Sequence, residues 1–379
     1  MINRKIKIYK AFHAYGTYLD KFYIKYMCSN DSFENQLIAF ENDCFPWILS
    51  WHQFNHQDNI EIFETIHNAS FLQKQWAKDN EVQYDDSNWQ TSIVIKQIEK
   101  FQPDVCVLYP PAIFDQKIIS EIRGIVNHDI IIGGYDGMDR KNIELYSGYD
   151  FVITCSDYIS SFYRNKNILS YSLEFAFDPK INSLIKGHNN LYPISFCGSL
   201  FPNVHKNRYN LISYLVWHTP IIISSDFELN TKYKLFSKKN IRSIIIRDKS
   251  YFDSYKIHCR NIGSLYGIDM YQFLKDSAIT INSHGDNINF AANVRLYEAT
   301  GIGTCLLTDW KENLAEIFEP EVECLTYKTK EEAADKIKYY MKHENERKKI
   351  ALRGQEKTLT EYTYTKRIDG VLNFIRGLL

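Results

Sequence analysis

The chain has 379 residues, of which 45% are hydrophobic and 24% charged, with a formal net charge of −1. That length suits two domains better than one core, and the composition is that of a globular protein, which excludes a disordered chain. A net charge near zero provides no global field to recruit nucleic acid.

The eight cysteines, at positions 28, 44, 106, 155, 197, 259, 305 and 324, are scattered, form no C-x-x-C pair and fall partly inside apolar runs. They read as buried thiols in a reducing compartment, with neither a zinc site nor a disulfide framework indicated. Met1 to Ile8 enters directly into a strand pattern without a signal-peptide apolar core, and no apolar run approaches bilayer-spanning length. A cytoplasmic protein is expected. The 27 tyrosines and 23 phenylalanines suit sugar stacking or a membrane interface, and composition does not separate the two.

Lys5 to Phe12 alternates as a first strand and runs into the glycine-containing loop His13-Ala14-Tyr15-Gly16-Thr17. Residues 31–100 are mostly helical in pattern, notably Asn68 to Lys78 and Ser87 to Lys100, with Trp47, Ile48, Leu49 and Trp51 expected in the core. Pro103 to Tyr109 is a buried strand entered through a proline turn, followed by a helix over Ile113 to Val126 and a strand over Asp129 to Gly133. Gly133-Gly134-Tyr135-Asp136-Gly137 reads as a turn-rich strand end, and a strand (Asp150 to Thr154) and a helix (Ser156 to Arg164) follow. Such alternation predicts a parallel, doubly wound sheet.

Phe177-Asp178-Pro179 and Lys186-Gly187-His188-Asn189-Asn190 mark a passage between domains. A second series predicts strands at Pro193 to Cys197, Ile221 to Ser224, Ile241 to Ile246, Ala278 to Asn282 and Cys305 to Leu307. Helices are predicted at Arg208 to Trp217, Met270 to Asp276, Lys330 to Lys342, Glu344 to Thr358 and Tyr364 to Leu378. The expected fold is α/β, with two Rossmann-like doubly wound domains facing an interdomain cleft. Residues 1–178 form the first domain, 190–360 the second, and 361–379 a terminal helix packing back on the first.

In open α/β sheets, ligands gather outside the carboxyl ends of the strands. Gly198 and Ser199 end a strand, and Arg208 opens a helix with His205 and Lys206 just before it. Helix-start amides and cations make a diphosphate cradle. Asn282-Ser283-His284-Gly285-Asp286 follows a strand in the same domain, so Ser283 and His284 are candidate site residues, though a plain polar loop has equal standing. Asn293 reads as a helix cap. Arg295 and Glu298 share a helix face, and spacing alone reads them as a surface ion pair.

Asn293-Val294-Arg295-Leu296-Tyr297-Glu298, with Gly303 beyond, resembles the N-x-R-x-(F/Y)-E-x-x-x-x-G signature of bacterial GT-B glycosyltransferases similar to the spore maturation protein CgeB. Phe196-Cys197-Gly198-Ser199 with Arg208, Tyr266-Gly267 with Asp269-Met270-Tyr271, and Ser277 to Asn282 add to the likeness, which is clear over roughly residues 190 to 370. The resemblance implies a GT-B fold with the nucleotide-sugar donor on the C-terminal domain and a glycan or glycolipid acceptor on the N-terminal one. It also implies that Glu298 holds the donor ribose and Arg295 contacts phosphate or orients the glutamate.

The two-glutamate pattern of retaining GT-B enzymes is incomplete, because Phe290 occupies the first position, so stereochemistry is not inherited. For a base that takes the acceptor proton, the N-terminal domain offers Asp136 and His13, each with a bland reading as turn former or loop residue. No Asp-x-Asp triplet is present, and metal independence with no cofactor is expected. The resemblance suggests surface-polysaccharide or spore-coat glycan synthesis. The lysine- and arginine-rich helices over 330–353 are compatible with peripheral contact at the inner membrane face, although their glutamates favour a solvated surface. The competing readings are a nucleotide-sugar epimerase or hydrolase on the same fold and a non-catalytic assembly protein.

Overall fold

The computed structural model describes residues 5–45, 50–55, 59–138, 140, 142–187, 191–228, 249–286 and 289–379. Two compact units share the chain: Met1–Glu174 with Tyr364–Leu379, and Phe175–Thr363.

Unit 1 runs β1 (Ile6–Phe12), α1 (Gly16–Tyr26), α2 (Phe33–Asp43), β2 (Ile60–Ile66), α3 (Ser70–Asp79), α4 (Trp89–Phe101), β3 (Val105–Leu108), α5 (Gln116–Ile125), β4 (Ile131–Asp136), β5 (Phe151–Thr154), α6 (Asp157–Arg164) and β6 (Ser170–Ser172). Its strands form one parallel sheet ordered β2-β1-β3-β4-β5-β6. The chain leaves β1 in one direction for β2 and returns to the other side for β3, so the topological switch point lies at β1 and β3. Tyr9, Ala11, Cys106, Leu108 and Ile132 pack with Val94 and Ile98 of α4 and Ile119 and Ile122 of α5. The helix Tyr364–Arg376 completes this unit: Phe374 stacks on Tyr171 and meets Phe151 edge-on, and Arg367 pairs with Glu174 at 2.6 Å.

Unit 2 runs α7 (Ile181–Leu184), β7 (Tyr192–Cys197), α8 (Lys206–His218) and β8 (Ile221–Ser224), then β9 (Ser277–Ile281), β10 (Cys305–Asp309) and β11 (Leu325–Tyr327). Helices 249–260, 267–275, 294–301, 314–317, 330–342 and 344–361 are interleaved with and follow these strands. The described strands form a parallel sheet ordered β11-β10-β9-β7-β8, so its switch point lies at β7 and β9.

Three features depart from the sequence reading. Ile60–Ile66 is a full strand paired with β1 inside a region read as helical, and the short strand Ser170–Ser172 was not expected. The strand expected to end at Gly133 runs on through Gly134, Tyr135 and Asp136, which had the look of a turn. A Cβ on Gly133 would stand 2.2 Å from the Phe151 ring, so the glycine makes room for that aromatic on the next strand. The expected strand at Ile241 to Ile246, the residues Trp47, Ile48 and Leu49, and His188 to Asn190 lie outside the described residues.

Candidate active site

In unit 2 the candidate residues converge on the strand ends at the switch point. Arg208 lies in the first turn of α8, and its guanidinium donates to the Ser199 carbonyl at 3.2 Å and twice to the Ser283 carbonyl, at 2.7 and 3.2 Å. It therefore fastens the loop after β7 to the loop after β9, and burial pulls its pKa down. Sequence had offered Arg208 as a phosphate ligand; the structure uses it as a clamp on backbone carbonyls.

The N–H of Gly198 is likewise taken, by the Ser224 carbonyl at 3.0 Å, and the Ser199 hydroxyl donates to Asp226 at 3.3 Å. Lys206 is exposed at the first position of α8. Beside it the Asn207 N–H donates to both oxygens of Asp286, at 3.2 and 3.1 Å. A carboxylate thus occupies the positive end of this helix, where an anion is favoured.

His284 follows β9 and is buried, its Nδ1 2.7 Å from Asp309 Oδ1 at the end of β10. Burial pushes the Asp309 carboxyl up, but His284 and Lys311 outweigh it and leave it below the ordinary range. Sequence reasoning did not single out Asp309; its place two residues beyond the apolar run Cys305 to Leu307, at the carboxyl end of that strand, is the signal that marks it.

Asn293 caps the helix Val294–Gly301 by accepting from the Arg295 N–H, as the sequence indicated. Arg295 and Glu298 are not a surface pair. Glu298 is 1% and Arg295 9% exposed, with Nη1 2.7 Å from Oε2 but outside hydrogen-bond geometry. The guanidinium also contacts Met270 Sδ and reaches toward the Cys197 carbonyl, and Tyr271 lies 3.4 Å from Glu298 Oε1. Burial raises the Glu298 pKa against the opposing Arg295 charge. In this conformation the carboxylate does not face solvent, so ribose binding by an open Glu298 is not what the geometry presents.

Among the described residues, three buried nitrogens near these strand ends lack a hydrogen-bond partner: His205 Nδ1, His284 Nε2 and Arg295 Nε. Buried polar atoms are nearly always satisfied, so unmet capacity gathered at one strand-end region calls for an explanation.

In unit 1, Asp136 is buried and saturated. Its carboxylate accepts from the Met138 N–H at 3.0 Å, from Arg140, and from the hydroxyls of Tyr146 and Tyr163. The glycines beside it do not open it to substrate, and the general-base reading of Asp136 gives way to a structural one. His13 sits just beyond β1 at the switch point, half-buried, its pKa lowered by that burial. Its Nδ1 lies 3.2 Å from Nε2 of His67, which occupies the matching position after β2.

His67 is fully buried, and burial, then the proximity of His13, bring its pKa down to about 3. If the His13 Nδ1–H donates to His67 Nε2, the His13 Nε2 is left as a lone pair able to take a proton. His67 was missed because β2 itself was missed.

Two parallel-sheet Rossmann-like units in one chain define the GT-B class of fold. Residues 234–373 match a family of glycosyl transferase-like proteins. No curated protein sequence matches the chain. The fold is similar to HepE of Anabaena in complex with UDP-glucose, at 11% identity and a TM-score of 0.59 over 98% of this chain and 100% of that one. It is also similar to sucrose-phosphate synthase of Thermosynechococcus elongatus (9% identity, 99% of each chain, TM-score 0.54). The lipopolysaccharide outer core galactosyltransferase WaaB in its apo form is a third such structure (13% identity, 99% of this chain and 100% of that one, TM-score 0.51). At these identities the likeness concerns the fold.

Proposed function

We propose that the chain is a glycosyltransferase that moves a sugar from a nucleotide-diphosphate sugar to a hydroxyl of a glycan or glycolipid. The observation that carries this reading is the strand-end cluster of unit 2, with its unmet hydrogen-bonding nitrogens at the switch point of a GT-B sheet. The glycosyl transferase-like match over residues 234–373 and the UDP-glucose complex of the HepE structure support it.

The diphosphate would take the place of Asp286 at the start of α8, with Lys206 and helix amides stabilising charge as it leaves, without a metal ion. Arg208 and Arg295 would act as positioning residues, one clamping the loops and the other holding Glu298. Ser199 and His284, on the two loops that Arg208 fastens together, would complete the donor wall. In unit 1, His13 would accept the acceptor proton at Nε2 as the oxygen attacks the anomeric carbon. Membership of the CgeB-like group, and with it surface-polysaccharide or spore-coat glycan assembly at the inner membrane face, is part of the same proposal and rests on the sequence resemblance. No helix among the described residues is long and apolar enough to cross a membrane.

A thermal-shift screen against UDP, GDP, dTDP, CDP, CMP and ADP tests the reading. A nucleotide at about a hundred times its dissociation constant adds roughly 2.7 kcal/mol of apparent stability. A base-selective shift, followed by sugar transfer from the matching donor, is expected; indifference to all six would sink the proposal. Turnover of the donor to free sugar in the absence of any acceptor would favour the hydrolase reading instead.

A further inference from the structure

Away from the strand ends, unit 2 carries a cavity of about 590 Å3 between α8, the helix Lys249–Arg260 and the start of the helix Lys330–Lys342. Its α8 residues, Asn210 to His218, lie four or more positions beyond Lys206, and at 1.5 Å per residue Trp217 stands about 16 Å along the helix from Lys206. This is therefore a different place from the nucleotide region.

The cavity combines three kinds of surface. Trp217 is 51% exposed, so one of the largest apolar faces in the unit is open to solvent; its Nε1–H donates to Asp253 Oδ1 at 2.7 Å, which fixes the ring. Tyr214 stacks on His218 at 4.0 Å and adds a second aromatic wall. Two polar side chains also line it: Asp253, 9% exposed, and Ser213, which is 8% exposed with an Oγ that has no hydrogen-bond partner among the described residues. Cations form the rim. Lys330 Nζ stands 5.3 Å from the Tyr214 ring, Lys256 Nζ 5.1 Å from that of Trp217, and Lys249 lines the opening.

An aromatic plate receives the C–H face of a pyranose, a buried carboxylate and a hydroxyl pair with its hydroxyls, and ammonium groups attract negative substituents. We infer that this cavity is a secondary glycan-binding site for an oligosaccharide carrying carboxylates. Its volume lies within the 300–1,000 Å3 range of pockets that enclose a small organic ligand, enough for a short run of sugar units. A flat anionic membrane fits less well, because the Asp253 carboxylate and the orphaned Ser213 hydroxyl lie inside a concavity that headgroups do not enter. The site would hold a glycan without being part of the chemistry, so the inference stands whether or not sugar transfer is found.

Calorimetric titration of the full chain with an oligogalacturonate, with a neutral maltooligosaccharide and with phosphatidylglycerol vesicles tests this. Saturable binding of the oligogalacturonate is expected, with weaker binding of the neutral chain. Trp217→Ala should weaken binding about tenfold, Trp217→Phe should largely retain it, and Lys249→Gln with Lys330→Gln should narrow the preference for the acidic chain. These side chains are solvent-facing, and an unchanged melting temperature confirms that each variant folds. Failure of both oligosaccharides to bind, undiminished binding by Trp217→Ala, or binding to the vesicles alone would each overturn the inference.

Discussion

The imidazoles of His13 and His67 meet through Nδ1 and Nε2 at 3.2 Å, each standing one residue beyond the carboxyl end of its strand. His67 titrates near 6.5 when unfolded and at about 3 in the fold. Between those values the unfolded chain binds the extra proton, so stability rises with pH and is lost as pH falls below about 6.5. Unit 1 should lose up to about 1.4 kcal/mol per pH unit in that window. Hydrogen exchange of the β1 and β2 amides at pH 7 and pH 5, corrected for intrinsic rates, reads this, and His67→Phe should flatten it. Glu64, held down to about 2 beside Lys10, contributes its own loss only as pH falls below about 4.5, so the two effects separate.

If His13 is the base, His13→Gln should lower turnover by roughly 10²–10⁴ while leaving nucleotide affinity intact. Parallel kinetics and nucleotide titration check this. Equal loss of both would move His13 out of the base role.

The Arg295 and Glu298 pair is buried, so removing one partner strands the other charge. Glu298→Ala should cost about 3–5 kcal/mol, and the double change Arg295→Met with Glu298→Leu should cost less than Glu298→Ala alone. Urea unfolding followed by a unit 2 signal measures both. Nucleotide binding by Glu298→Ala is then meaningful only at a temperature where the variant is shown to be folded.

Asp286 competes with any anion for the start of α8. Asp286→Ala should therefore raise affinity for a nucleoside diphosphate, by a factor of about 2–5 given the usual strength of helix-terminus charge effects. Calorimetry at low salt shows this best, and a fall in affinity would mean that the carboxylate contacts the ligand instead.

Gly133→Ala should destabilise unit 1 by about 1–3 kcal/mol, because the new methyl meets the buried Phe151 ring. Thermal melting of Gly133→Ala alone and with Phe151→Leu checks the cause, since the smaller side chain should restore part of the loss.

Strand–helix alternation and the breaks at Pro103 and Gly198 made most of the parallel architecture legible, and Lys330 to Lys342 was read to the residue. Ile60–Ile66 was not, because Glu61 and Glu64 interrupt its apolar pattern; Glu64 is tolerated inside only through Lys10 at 2.6 Å, a partner far away in sequence. The site shows the same limit. Position at a strand end could be read for His13, Ser199 and His284. The partners that decide their roles, namely Asp136 with its two tyrosines, Arg208 with two carbonyls, and Glu298 buried beside Arg295, are products of tertiary contact that spacing does not encode.

Unit 1 is interrupted in the gene: its sheet is encoded before Phe175, and the helix Tyr364–Arg376 that covers Phe151 and Tyr171 comes only after all of unit 2. On the ribosome, the first unit to begin is therefore the last to close. While unit 2 is being made, the nascent sheet must wait with the surface that Ile368, Val371, Leu372 and Ile375 will cover still bare, so a chain stopped before Tyr364 would carry a finished second unit behind an unsealed first one.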